Sequence, residues 1–127
     1  MIALLLVAMT FLIVACSPQS APAQKPAPDK TASSSGDPQA GRTLLIAKGC
    51  VACHTVRGVP EASGTIGPNL NGIASKPMIA DTLPNTPENM KRWITNPTTV
   101  KPGTMMPPLG LSDKESDDLV AFLETLK

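Results

Sequence analysis

The segment Cys50-Val51-Ala52-Cys53-His54 combines residue types and a spacing that can do chemistry. Three chemistries compete for it. A structural zinc site needs four ligands, and the chain has one histidine and no second cysteine pair. A redox dithiol belongs in a thioredoxin-like βαβ context, and no segment here alternates like a strand. The third is C-x-x-C-H haem attachment. Two thiols three residues apart at a helix end reach the two vinyl groups on one porphyrin edge as thioethers. The next residue is then carried beneath the iron, where a neutral imidazole is a good ligand. Its other nitrogen needs an acceptor to fix the tautomer and the ring orientation. The segment therefore predicts one covalent haem c on Cys50 and Cys53, with His54 on the iron.

A sixth ligand has to come from far along the chain. His54 is the only histidine, so the candidates are methionines: Met78, Met90, Met105 and Met106. Met90 falls within a helical segment and reads as packing. Met78 comes early in a long loop. Met105 and Met106 sit in a Pro/Gly-rich loop with no core-facing period, which weakens the default reading of methionine as core filler. A thioether opposite histidine favours ferrous iron and raises the potential, as suits an electron carrier. An open sixth position would instead mark a peroxidase-like or ligand-sensing protein.

The rest of the chain must build a holder for this group. With 127 residues and three aromatic side chains besides no tyrosine (Phe11, Trp93 and Phe122), the chain makes one small domain with little apolar bulk. Such a core needs a staple, and a cofactor is one. Three cysteines do not make a disulfide framework. The formal net charge of +1, without a basic stripe, excludes a general nucleic-acid binder.

Helices are predicted at three places. Asp37-Pro38 is an N-cap followed by proline at the first helical position, and Gly49 suits the end of that helix. Thr86-Pro87-Glu88 opens a second, running to about Thr95 and stopped before Pro97. Ser112 and Glu115 form a capping box for the last, where Leu119, Phe122, Leu123 and Leu126 make one apolar stripe. The stretches 50–83 and 98–110 read as irregular. A loop that long is unusual in a compact domain, but wrapping a large flat cofactor calls for one. The expected class is all-α: three main helices with long loops around one haem.

On these residues the chain resembles a class I cytochrome c over 37–127. Its C-terminal half is similar to the cytochrome c domain of caa-type oxidase subunit II. The stretch Leu83-Pro84-Asn85-Thr86-Pro87-Glu88-Asn89-Met90, then Trp93-Ile94, Pro97 and Lys101-Pro102-Gly103-Thr104-Met105-Met106-Pro107, carries the likeness. It continues through Gly110-Leu111-Ser112 to Leu119-Val120-Ala121-Phe122-Leu123. The resemblance implies that the methionine directly before proline, Met106, is the axial ligand. It also implies that Gly67-Pro68-Asn69-Leu70 supplies the Pro68 carbonyl as acceptor for His54, and that Trp93 belongs to the cofactor-binding set. Two departures stand out. The transmembrane helices and copper-binding domain of the oxidase subunit are missing from this sequence, which implies a free-standing carrier. The first helix has Gly41 but Leu45 where the family usually has an aromatic, so its crossing with the last helix should make a smaller contact to Phe122.

Residues 2–15 are almost wholly apolar and shorter than the ~20 residues that span a bilayer. Ile13-Val14-Ala15-Cys16 resembles a bacterial lipobox, which implies a signal peptide over 1–15 and a lipid on Cys16. Several acyl chains, at about 0.8 kcal/mol per buried CH₂, give stable anchorage. Residues 16–36, rich in Pro, Ala and Ser, read as a tether. Its span is roughly 25 Å as coil and about 60 Å as polyproline.

Charge is segregated along the chain. Residues 42–101 hold seven basic against three acidic side chains, and 102–127 two against five. That reads as a dipole able to steer docking onto an acidic redox partner. The function expected is a monomeric, membrane-anchored one-electron carrier outside the cytoplasm. Its partners would be a terminal oxidase and a quinol-oxidising complex, and no catalytic residue of its own is expected. The alternatives are a haem subunit of a dehydrogenase or reductase complex and a peroxidase-like or ligand-sensing haem protein.

Overall fold

The structure, a computed structural model, describes residues 35–127. The readings made on residues 1–34, including the lipid on Cys16, lie outside the described residues. Four helices carry the domain: α1 (Pro38–Ala47), α2 (Pro87–Thr95), α3 (Pro97–Val100) and α4 (Asp113–Thr125). Each predicted start is realised by the expected atoms. The Asp37 carboxylate accepts from the Gln39 N–H, and the Thr86 hydroxyl oxygen from the Asn89 N–H. Ser112 and Glu115 make both halves of the capping box. Gly49 follows α1 in the left-handed conformation that ends a helix, at φ 76°.

α1 lies directly against α4. A Cβ on Gly41 would run into the Asp118 carbonyl and lie 2.8 Å from the Phe122 Cβ. A glycine is what allows the two backbones to come this close. One turn further on, Leu45 is completely buried and joins Leu119, Phe122 and Leu123 in the core. A helix crossing is thus built without an aromatic on α1. The N-terminus of α1 is fastened to the same helix, because the Asp118 carboxylate accepts from the Asp37 N–H at 2.8 Å.

The connecting segments hold more structure than their composition suggests. After the C-x-x-C-H segment the chain folds back on itself, with Val56 N–H bonded to Ala62 O at 3.0 Å and Val56, Val59 and Ala62 buried. Short 3₁₀ turns form at Cys50–Ala52 and Ile73–Ser75. A two-residue antiparallel pair, β1 (Met78–Ile79) with β2 (Leu83–Pro84), makes a small hairpin. Strands this short show no alternation to read. The short helix α3 was also not expected: Pro97, read as a stop for the preceding helix, is at the same time the first residue of the next.

Candidate functional site

The residues of the C-x-x-C-H segment stand at one wall of a cavity of about 290 Å³. That is near the low end of the roughly 300–1,000 Å³ usual for cofactor sites. The 3₁₀ turn after α1 places Cys50 and Cys53 on this wall, half-buried and unbridged. Burial pushes the Cys50 thiol up from its ordinary value; a backbone hydrogen bond opposes this and the neighbouring Cys53 adds to it. A redox-active thiol shows the reverse shift.

His54 lines the same cavity, and its ring is fixed from behind. Nδ1 lies 2.7 Å from the Pro68 carbonyl oxygen. A carbonyl can only accept, so Nδ1 carries the proton and Nε2 keeps its lone pair for a metal. The peptide N–H of Gly67 donates to Cys53 O at 2.8 Å, which draws the Pro68 segment onto the motif. A Cβ on Gly67 would lie 2.5 Å from Cε1 and 2.8 Å from Nδ1 of His54. The ring therefore packs where a side chain at position 67 would be. Gly67 was quoted only as part of a Gly-Pro motif, and its part in seating the ring was missed.

The methionines separate by position. Met105 and Met106 both line the cavity, but Met106 is half-buried whereas Met105 is 81% exposed. The Met106 N–H donates to Thr104 Oγ1 at 3.2 Å, a small brace that sequence reasoning missed. Met90 lines the cavity from α2 and is buried, in keeping with its reading as packing. Met78 stands on β1, 40% exposed, outside the lining. Trp93 lines the cavity from α2, half-buried. Aliphatic side chains of all three longer helices complete the walls, among them Leu45, Ile94, Leu119 and Leu123.

The family model for cytochrome c matches residues 38–127, the whole of this folded unit. The chain belongs to the cytochrome c family. This cytochrome is 33% identical over 88 residues to cytochrome c oxidase subunit 2 of Alkalihalophilus pseudofirmus, covering 68% of this chain and 25% of that protein. It thus spans about a quarter of the length of the oxidase subunits it matches. It is 31% identical to cytochrome c2 of Rhodoblastus acidophilus, covering 72% of this chain and 94% of that one. Among solved structures, SoxXA from P. pantotrophus superposes with a TM-score of 0.60 at 25% identity, over 72% of this chain and 82% of that one.

A cytochrome c domain holds its haem c covalently, and Cys50 and Cys53 are the cysteines of its attachment motif. The residues fit that group: two adjacent thiols, an imidazole with a free Nε2 and an apolar cavity all meet at one place. With one such motif in the sequence, this is a monohaem c-type cytochrome and an electron carrier. The haem, when bound, supplies a one-electron iron couple. The protein's own contributions are the seating of His54 and a largely apolar cavity wall.

Proposed function

We propose that His54 and Met106 are the axial ligands of the haem iron, and that this cytochrome is a lipid-anchored carrier delivering electrons to a terminal oxidase. One observation carries the ligand assignment. His54, with its Nδ1 committed to Pro68, shares a cavity with a half-buried Met106, while the neighbouring Met105 is largely exposed. A thioether on the iron closes it to exogenous ligands and favours the ferrous state, which suits transfer rather than catalysis. Trp93, on the cavity wall, belongs to the cofactor-binding set in this reading.

Met106→Ala should abolish the near-infrared methionine–ferric band and let the ferrous protein bind carbon monoxide, while Met105→Ala should do neither. The opposite pattern would transfer the ligand role to Met105.

Support for the anchor and the partner comes from the lipobox-like Ile13-Val14-Ala15-Cys16 and from likeness to oxidase subunits. Attachment through Cys16 places the domain outside the cytoplasm, on a tether able to sweep between membrane partners. Cys16→Ser should move the cytochrome from the membrane to the soluble fraction, and oxidation of the reduced protein by oxidase-containing membranes should slow with it. Unchanged fractionation would remove the anchor from the proposal.

A further inference from the structure

The hairpin joining β1 to β2 turns on two left-handed residues, and one of them, Ala80, rarely adopts that conformation. Ala80 and Asp81 have φ of 52° and 59°, and neither is a glycine. Left-handed backbone is unfavourable for alanine and persists where the surroundings hold it. Two side chains brace it here: Thr82 Oγ1, from within the hairpin, donates to the Ala80 carbonyl at 3.0 Å, and from outside the hairpin so does Lys101. Its Nζ donates to the Ala80 carbonyl at 3.1 Å and lies 3.7 Å from the Asp81 carboxylate. Asp81 is 97% exposed, so water screens the ion pair, and the bond to the carbonyl is the firmer contact.

Lys101 is also the first residue of the loop that carries Met106. Its N–H donates to Pro97 O, which ties it to α3, and its carbonyl accepts from the Thr104 N–H at 3.1 Å. Thr104 Oγ1 in turn accepts from the Met106 N–H. An unbroken run of hydrogen bonds thus leads from the hairpin turn, through Lys101 and Thr104, to Met106. Both ends of that run, Ala80 and Met106, lie on the cavity wall. Lys101 spans two walls of the site that the chain reaches some twenty residues apart.

We infer that Lys101 is a positioning residue for the methionine ligand: its bond to the Ala80 carbonyl holds the 101–106 loop shut over the iron. This rests on Met106 being the sixth ligand. Without the bracket the loop opens more often, and an added ligand such as imidazole finds the ferric iron more readily. The apparent affinity for the added ligand scales with the open fraction.

The test measures imidazole binding to the ferric holoprotein together with its near-infrared band and thermal midpoint. Lys101→Met should raise apparent imidazole affinity roughly tenfold, the factor that one hydrogen bond from a charged donor supplies. Lys101→Arg, which still offers a donor, should restore most of the wild-type value. Asp81→Asn should leave it unchanged, because the carbonyl is the partner that matters. If Lys101→Met lowers the thermal midpoint but leaves imidazole affinity as in wild type, Lys101 is structural only and the inference falls. Met106→Ala separates the two readings. A band that survives in that variant overturns the ligand assignment, whereas its loss alongside an inert Lys101→Met overturns the bracket alone.

Discussion

The contact between position 67 and the imidazole shows how little room the site leaves at the scale of single residues. The His54 ring sits within 2.5–2.8 Å of where a Cβ at position 67 would be, and the same ring is held at Nδ1 by the very next residue, Pro68. Gly67→Ala must therefore push the ring or shift the 67–68 backbone, and either change breaks the Nδ1 hydrogen bond. Forcing a methyl group into a filled site costs about 1–3 kcal/mol. The variant should lose stability of that order in a denaturant titration and bind imidazole more readily than wild type. A variant with wild-type stability and an intact ring would mean that the loop yields at no cost. The cysteines and histidine of this site were legible from spacing alone. The glycine was not, because what it accommodates comes from a residue thirteen positions earlier and brought there by the fold.

At the scale of elements, the caps and the turn differ in what determines them. Asp37, Thr86 and the Ser112–Glu115 box each bond within three residues, so the helix starts could be read from the sequence. The hairpin could not. Its two strands are two residues long, and its turn puts Ala80, a poor left-handed residue, where glycine or asparagine is usual. That choice stores strain that substitution can release. Ala80→Gly removes about 1–2 kcal/mol of left-handed penalty and adds roughly 0.4–1 kcal/mol of chain entropy to the unfolded state. The net expectation is a gain of about 0.5–1 kcal/mol, seen as a small rise in the urea midpoint. A loss of stability would show that the Ala80 methyl, on the cavity wall, packs better than the turn suffers.

Across the whole molecule, the charge segregation seen along the chain is partly consumed by folding. Lys48 pairs with Glu115 at 2.9 Å and Lys91 with Asp117 at 2.7 Å, so two bases of the haem-wrapping region are spent on α4. Asp118 is more deeply placed, its side chain 6% exposed between the Asp37 N–H and Lys114. The dipole expected from the counts is correspondingly weaker, and much of the acidic surface of α4 serves the interior of the fold. These carboxylates also set the acid limit. The Ser112 backbone N–H, followed by the Lys48 ammonium, lowers Glu115 to about 2, and the Asp37 N–H, followed by Lys114, lowers Asp118. Groups lowered by folding contribute stability above their unfolded values, near ~4, and lose it as pH falls through the folded values. The urea midpoint should hold down to about pH 4 and fall below it. Asp118→Asn should lower the midpoint at neutral pH, and the gap to wild type should narrow as the pH drops below about 4. A gap that stays constant with pH would mean that the carboxylate charge plays no part.

The sequence by itself determined the attachment chemistry, the helix starts and the apolar stripe of the last helix. Each of these depends on residues within a few positions of one another, whose geometry is local. Only the tertiary structure decided how deeply each loop methionine is buried, which glycine makes room for the imidazole, and which lysines are surface charge and which are struts. Those outcomes depend on atoms brought together across tens of residues, Lys101 to Ala80 and Lys48 to Glu115 among them. No local propensity encodes such a contact, because it exists only once the chain has closed around its cofactor site.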